Sequence, residues 1–220
     1  VSTQNHSLTP RIVTELIAQR RAQCARCLRP QSHCLCGLIT QLSSRTRVLI
    51  LQHPDEAKHA LNTARLAALG LCNCKLLIGE QFAQLAECLN DPAYQACLLF
   101  PGEGAQPWST VKQQIATAGA RPLLLVVPDG TWRKARKLLY LNPLLAALPR
   151  LALPEGLHSR YRLRKAPMPG ALSTLEAIVT VLNAFESTQA FEQLLKPFEA
   201  LIEGQISAMG AATFARNHAG

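Results

Sequence analysis

Residues 123–137 have the sequence LLLVVPDGTWRKARK, in which an apolar run is followed by an acidic turn and then by a cationic stretch. The five apolar residues at 123–127 are too few to span a membrane and are typical of a strand covered on both faces, as in a parallel sheet. Pro128 and Gly130 break the pattern at its carboxyl end. Ligands collect at that edge of open parallel sheets, which makes Asp129 a candidate functional residue.

The residues after this turn are predicted to form an amphipathic helix with Thr131 as its N-cap. At about 100° per residue, one arc of the helix is apolar and the other is cationic. The apolar arc contains Trp132, Ala135, Leu138 and Leu139. The cationic arc contains Arg133, Lys134, Arg136 and Lys137. We expect the first arc to pack against the sheet and the second to bind a ligand.

Strand and helix patterns alternate along the chain from residue 45 onward. Further strands are predicted at 47–52, 75–78, 96–100 and within 149–154. Further helices are predicted at 60–69, 81–89, 109–118, 175–185 and 189–206, the last of them split by Pro197. Ser173 and Glu176 match a capping box at the start of the 175–185 helix. The alternation indicates an α/β fold, with a mainly parallel sheet and helices on both faces.

The composition favours a soluble domain that binds a polyanion. The chain has 220 residues, 48% of them apolar, and a formal net charge of +9, which indicates a partner rich in phosphate groups. Twelve of the 23 basic residues lie in three clusters. Phosphate binding requires cations to be clustered in this way, whereas solubility does not. The clusters are Arg20, Arg21, Arg26 and Arg29; Arg133, Lys134, Arg136 and Lys137; and Arg160, Arg162, Arg164 and Lys165. Aromatic residues, at 5%, are too few for a stacking platform, so recognition is expected to depend on charge and shape.

The sequence predicts neither a membrane span nor export. No apolar run reaches about 18 residues, and the N-terminal residues do not show the charged and then apolar pattern of a secretory signal peptide. We therefore expect a cytoplasmic protein whose cysteines are kept reduced.

Four of the eight cysteines form the pattern Cys24-x2-Cys27-x6-Cys34-x-Cys36. In a reducing compartment, clustered cysteines bind a metal more often than they form disulfides. Four thiolates close a tetrahedral zinc site and leave no open position, so the zinc is expected to be structural. His33 could replace one sulfur, and iron–sulfur ligation uses the same residue type. The remaining cysteines are predicted to be buried hydrophobic residues, namely Cys72, Cys74, Cys88 and Cys97.

Six separated motifs occur in one order along the chain. They are Cys24-Ala25-Arg26-Cys27, Cys34-Leu35-Cys36, Gln52-His53-Pro54, Asn62-Thr63 with Arg65, Asp129-Gly130-Thr131-Trp132 and Tyr161-Arg162-Leu163-Arg164. Together they resemble the DTW-domain family, the tRNA-uridine aminocarboxypropyltransferases. The resemblance covers the chain from Cys24 to about Phe185, and motifs in this order are far more specific than Asp-x-Thr-Trp alone.

The resemblance implies that S-adenosylmethionine donates a 3-amino-3-carboxypropyl group to N3 of a uridine in tRNA, with release of methylthioadenosine. It also implies a SPOUT-like fold with a C-terminal trefoil knot, which no pattern in the sequence reveals. The implied organisation is an N-terminal helix and zinc module at 1–44, a catalytic domain at 45–210 and a flexible tail at 211–220.

Asp129, Thr131 and Trp132 are the candidate catalytic residues. The imide N3 of uridine is a weak nucleophile until its proton leaves, so a carboxylate within hydrogen-bond distance would serve as base or would orient the substrate. Asp129 has the alternative role of capping the helix that follows it. Trp132 either stacks on a base or belongs to the core.

Three turns are expected to hold the donor, because they lie at strand ends or before a helix with free amides. They are Phe100, Pro101 and Gly102; Pro128 and Gly130; and Gly170, Leu172, Ser173 and Thr174. The segment with Arg160, Arg162, Arg164 and Lys165 is expected to be extended, with phosphate contacts favoured over a network of structural ion pairs.

Two alternatives remain open at this point. One is a SPOUT-type RNA methyltransferase that uses the same donor and transfers its methyl group instead. The other is a zinc-containing RNA-binding protein without enzymatic activity, in which the Asp129 turn is only structural. The target uridine and the choice between monomer and homodimer are also left open.

Overall fold

The structure is a computed structural model that describes residues 22–117, 119, 121–163, 170–210, 213, 214 and 216. Several predictions lie outside these residues: the N-terminal helix, the cations Arg20, Arg21, Arg164 and Lys165, and most of the predicted C-terminal tail. The trefoil knot stays a prediction.

A six-stranded sheet forms the centre of the molecule. Its strands are β1 (Arg47–Gln52), β2 (Cys74–Ile78), β3 (Gln95–Leu99), β4 (Ala105–Pro107), β5 (Leu123–Asp129) and β6 (Arg150–Ala152). Their spatial order is β2-β1-β5-β3-β6-β4, and every pairing between them is parallel. The predicted parallel sheet is thus confirmed, with β5 in its interior and the short β4 as an additional edge strand.

Helices cover the sheet on both sides. They are α1 (Pro54–Ala57), α2 (Ala64–Gly70), α3 (Leu85–Leu89), α4 (Trp108–Thr117), α5 (Trp132–Leu141), α6 (Pro143–Ala146), α7 (Thr174–Glu186) and α8 (Leu195–Met209). Short 3-10 helices occur at Gln31–His33, Cys36–Leu38 and Ala190–Leu194. The predicted break at Pro197 is wrong: this proline lies in the first turn of α8, where its missing N–H removes no helical hydrogen bond.

Alternating side chains of the central strands build two apolar layers. Ile50 and Val127 face a layer that includes Ile178 of α7 and Phe198 of α8, and we call this side of the sheet the α7 face. The residues one position away point to the opposite layer, which contains Leu85 of α3 and Leu145 of α6. No helix among the described residues is long and apolar enough to cross a membrane.

The cysteine-containing segment packs against this same core. Leu35, between two of the clustered cysteines, is buried and belongs to the apolar layer of the α7 face. The 3-10 helix Cys36–Leu38 also contacts α8. The module is therefore joined to the sheet domain by apolar packing.

The four remaining cysteines differ in burial. Cys97 is buried as predicted, and Cys74 and Cys88 are partly exposed. The prediction of burial is wrong for Cys72, which is exposed because it precedes β2 at the amino edge of the sheet. Burial raises the pKa of the Cys74 and Cys97 thiols to about 12, so both are neutral at physiological pH.

Candidate active site and metal centre

Asp129 is the last residue of β5, at the carboxyl edge of the sheet. It lies opposite Gln52, the last residue of β1, in the parallel register. Side chains two residues apart on a strand point to the same face. Asp129 lies two residues after Val127, and Gln52 lies two residues after Ile50, so both side chains are on the α7 face. Only 8% of Asp129 is exposed, so its carboxylate requires polar partners.

Donors from different elements bind this carboxylate. Gln52 Nε2 donates to Asp129 Oδ2 at 2.7 Å, and the hydroxyl of Thr174, the first residue of α7, donates to Oδ1. The Asp129 carbonyl also accepts a hydrogen bond from the backbone N–H of His53 at 3.0 Å. The carboxylate is therefore held where two strands and the start of a helix meet.

Thr131, and not Asp129, caps α5. Its hydroxyl accepts a hydrogen bond from the backbone N–H of Lys134, which confirms the predicted cap. The alternative role of Asp129, capping this helix, is therefore taken by Thr131. The side chain of Asp129 is thus directed to Gln52 and Thr174, in a polar cluster at the sheet edge.

The predicted donor turns after β3 and β5 lie beside each other. The rings of Phe100 and Trp132 pack edge to face, with centroids 5.8 Å apart, and Trp132 is partly exposed. A Cβ on Gly130 would lie 3.0 Å from the Cβ of Lys134, so glycine allows the turn to pass close to α5. Pro101 and Gly102 are exposed beyond β3.

The third predicted donor turn precedes α7. Ser173 is the N-cap of α7, and it forms the predicted capping box with Glu176. Leu172 is partly exposed, and Gly170 is exposed with a φ of 78°, which favours glycine. The bond from Thr174 to Asp129 brings this turn to the same edge as the β5 turn.

Glu176 joins α7 to the basic loop that contains Arg160. It is only 5% exposed, and it accepts hydrogen bonds from the backbone N–H groups of Ser173 at 2.8 Å and Arg160 at 2.6 Å. The Ser159 hydroxyl donates to the same carboxylate at 2.9 Å. The sequence predicted the capping box, but it gave no signal for the attachment of the loop.

Several cations of the predicted RNA surface are engaged in ion pairs. Lys134 Nζ lies 2.9 Å from Glu56, and Lys137 Nζ lies 2.8 Å from Glu80. Glu80 also lies 2.9 Å from His53 Nε2, and the bond from Lys137, followed by that from His53, holds the pKa of Glu80 below its usual range. These bonds connect α5 to α1 and to the loop that follows β2.

The loop that contains Arg160 and Arg162 is also engaged in ion pairs. Arg160 pairs with Glu192 and Glu199 at 2.9 and 2.8 Å, and Arg162 pairs with Glu203. A cleft of about 600 Å³ separates this loop and Leu38 from α8. The network of structural ion pairs, which was the alternative to phosphate contacts for this loop, is therefore present.

Arg133 and Arg136 differ from these cations. Both are exposed on α5, and within the described part of the chain neither has a carboxylate within 4.0 Å. Arg133 and Arg136 can therefore bind a phosphate without first giving up an ion-pair partner.

The predicted cysteine cluster is assembled. The Sγ atoms of Cys24, Cys27, Cys34 and Cys36 all lie within 4.8 Å of one another. Two of the separations are 3.6 Å (Cys24 to Cys36) and 3.8 Å (Cys27 to Cys34). A tetrahedral zinc with Zn–S bonds of about 2.3 Å separates its ligands by about 3.8 Å, so the four sulfurs fit this ion.

The backbone around the cluster favours a thiolate. Hydrogen bonds from the backbone N–H groups of Cys27 and Arg26 lower the pKa of Cys24 to about 6. Burial and the neighbouring thiols raise the pKa of Cys36 to about 12, a penalty that a cation would reverse. His33 is exposed, and its Nδ1 contacts the Ser32 hydroxyl at 2.9 Å, so the described cluster consists of cysteines alone.

Comparison with known proteins gives consistent matches over most of the chain. Three similar proteins are each named tRNA-uridine aminocarboxypropyltransferase 2. The one from Macaca fascicularis is 30% identical over 91% of this chain and 69% of its own length. The one from Mus musculus is 32% identical over 86% of this chain and 65% of its own length. The one from Drosophila melanogaster is 33% identical over 85% of this chain and 76% of its own length.

No solved structure matches the chain significantly. The model of the DTW domain matches residues 21–206, a range that includes the four clustered cysteines, Gln52, Asp129 and Thr174. The chain therefore belongs to the DTW-domain family.

Proposed function

We propose that this protein is an enzyme that modifies tRNA, transferring the 3-amino-3-carboxypropyl group of S-adenosylmethionine to N3 of a uridine. The proposal depends above all on the Asp129 carboxylate, which two donors hold at the carboxyl edge of a parallel sheet. The names of relatives at 30–33% identity support the transfer of an aminocarboxypropyl group to a uridine of tRNA.

The reaction requires a base and accurate placement. The N3 nitrogen of uridine attacks the γ-carbon of the donor's amino-acid chain, the bond between that carbon and sulfur breaks, and methylthioadenosine leaves with the electron pair. Asp129 accepts a hydrogen bond from N3–H and takes the proton as the new C–N bond forms. Because the sulfonium is already a good leaving group, positioning the γ-carbon rather than the methyl group against N3 is the enzyme's main task.

Two turns and the end of β5 are assigned to the donor. These are Phe100, Pro101 and Gly102; Pro128 and Gly130; and Gly170, Leu172, Ser173 and Thr174. The amino end of α7 favours a carboxylate such as that of the donor, because the helix dipole is positive there. Trp132 packs on Phe100 at the same edge, where its ring offers a surface for a base or for adenine.

The remaining residues are assigned to tRNA and zinc. Arg133 and Arg136 contact phosphates directly, whereas Lys134, Lys137, Arg160 and Arg162 exchange their carboxylate partners for phosphates. The pairs of Lys137, Arg160 and Arg162 lie at the surface and contribute little to stability, so their exchange is inexpensive. The Lys134–Glu56 pair is more buried, with side chains 20% and 23% exposed, and its exchange costs more. Cys24, Cys27, Cys34 and Cys36 hold a structural zinc, which stabilises the N-terminal module and takes no part in the transfer.

The small-molecule product decides between the candidate functions. The protein is incubated with S-adenosylmethionine and bulk tRNA, and the adenosine products are quantified by mass spectrometry. We expect methylthioadenosine from the wild type and its loss in Asp129→Asn. Asp91→Asn, an equal change beside the amino end of β1, is the control that keeps the activity. S-Adenosylhomocysteine as the product would indicate a methyltransferase, and the absence of both products would indicate a binding protein.

A further inference from the structure

Gln52 is a buried amide at the edge of the proposed active site. It is 0% exposed, although glutamine is a residue type that is mostly found at the surface. A buried amide lowers stability unless its donors and acceptor are all paired, so its retention here calls for a physical reason.

Both N–H donors of Gln52 are used. Nε2 donates to Asp129 Oδ2 at 2.7 Å and to Asn62 Oδ1 at 3.1 Å. In the opposite direction, Asn62 Nδ2 lies 3.4 Å from Gln52 Oε1. The Nε2 end of the Gln52 amide faces Asp129, because the flipped amide would place an oxygen against the carboxylate, and the contact with Asn62 holds the amide in this orientation.

Asn62 is itself fixed by the backbone. Its Oδ1 accepts a hydrogen bond from the N–H of Arg65 in the first turn of α2, and its Nδ2 donates to the carbonyl of Ala57 at the end of α1. The orientation of the Gln52 amide is therefore determined by the loop between these two helices.

We infer that Gln52 is a positioning residue that sets the plane of the Asp129 carboxylate for the transfer reaction, an inference that rests on the proposed function. The terminal torsion of an aspartate has a broad energy minimum, so its own rotamer preference does not fix that plane. Gln52 from β1 and Thr174 from α7 bind opposite oxygens, and each of them restrains this plane. Being fully buried, Gln52 acts through Asp129.

Gln52→Met tests this role, because it preserves the length of the side chain and removes both donors. We expect kcat to fall on the order of 100-fold, as is typical when a catalytic group is misplaced by about 1 Å. The KM values for tRNA and S-adenosylmethionine should not change, because the contact affects the transition state rather than binding.

Thr174 supplies an independent pair of variants on the other oxygen. Thr174→Val removes the hydroxyl and should lower kcat, whereas Thr174→Ser keeps the hydroxyl and should restore it. The control is Thr180→Val in the same helix, where the hydroxyl donates to the carbonyl of Glu176 at 2.9 Å and does not contact Asp129. This control should keep the wild-type kcat.

The outcomes separate this inference from the proposed function. A wild-type protein that forms no methylthioadenosine overturns the proposed function and this role with it. If the wild type is active, wild-type kcat in folded Gln52→Met overturns the positioning role alone. If Gln52→Met does not fold, wild-type kcat in folded Asn62→Ala, which releases the Gln52 amide from its reciprocal contact, overturns it instead.

Discussion

Replacing Glu176 by alanine should destabilise the protein far more than the same change at another glutamate that contacts the basic loop. Glu176 is buried, and its carboxylate accepts hydrogen bonds from the backbone N–H groups of Ser173 and Arg160 and from the Ser159 hydroxyl. The substitution removes the acceptor of all three donors. Two segments separated in sequence, the start of α7 and the loop at 159–160, lose their connection at once.

The size of the effect follows from which donors water can reach. Ser173 is buried, so its N–H remains unpaired, at a cost of about 1–3 kcal/mol. The other half of the capping box remains, because the Ser173 hydroxyl accepts the backbone N–H of residue 176 and does not need the glutamate side chain. Arg160 is exposed and Ser159 is partly exposed, so water replaces much of what they lose, and their two bonds together add about 1 kcal/mol. We therefore expect the free energy of unfolding to fall by about 2–4 kcal/mol in Glu176→Ala.

Glu203→Ala is the matched control. Glu203 binds the same loop through Arg162, but its side chain is 62% exposed and its single ion pair is worth about 0–1 kcal/mol. Urea unfolding followed by circular dichroism measures both variants, and the m-value should stay constant because the fold is unchanged. Equal losses in the two variants, or a loss below about 1 kcal/mol in Glu176→Ala, would refute the reasoning.

Three further predictions concern RNA, metal and pH. Arg136→Gln should reduce the slope of log affinity for tRNA against log salt by about 1, and an unchanged slope would show that Arg136 binds no phosphate. A zinc chelator should increase amide hydrogen exchange in residues 22–42 before it does so in the sheet; exchange that begins in the sheet contradicts a local structural role. The N–H of Ala93 and the Arg47 guanidinium lower the pKa of Asp91, so the stability that Asp91 adds is present above the pKa of the unfolded chain and is lost as pH falls through its folded value. Urea unfolding should therefore show a smaller difference between wild type and Asp91→Asn at about pH 3 than at about pH 7, and an equal difference argues against this linkage.

The sequence predicted best the elements whose signals are local. The apolar run gave β5, although the strand continues through Pro128, the predicted breaker, to Asp129. The capping threonine with its two arcs gave α5. The edge strand Ala105–Pro107 was missed because it has three residues, ends in proline and pairs only with β6. The start of α2 was placed too early, because the side chain of Asn62 bonds to Gln52 and to the first turn of α2.

The candidate site was predicted only in part. Asp129 was recognised from the end of its strand, and Gln52 was recognised as part of a motif without a role. Their contact spans 77 residues of sequence, and the contact from Thr174 spans 45. Both contacts depend on β1 lying beside β5 and on α7 beginning at the same edge. Strand order of this kind is a property of the whole sheet, and no local pattern determines it.

The cationic surface shows a second limit of sequence patterns. Clustering along the chain predicted a phosphate surface, but the carboxylates that pair with Lys134 and Arg162 are 78 and 41 residues away. Clusters of basic residues can therefore be partly neutralised by distant acids. Exposed cations that lack a carboxylate partner among the described residues are a more specific indicator of phosphate contact, and in α5 these are Arg133 and Arg136.

The cysteine module reaches the candidate site through a loop. The guanidinium of Arg29, two residues after Cys27, donates to the carbonyl of Ala60 in the loop between α1 and α2. The same loop contains Asn62, which fixes the amide of Gln52. A metal bound by the four cysteines would order the module and, through Arg29, restrain the backbone behind the Asp129 carboxylate. We therefore expect a metal chelator to lower the proposed transfer activity indirectly, although the metal takes no part in the chemical step.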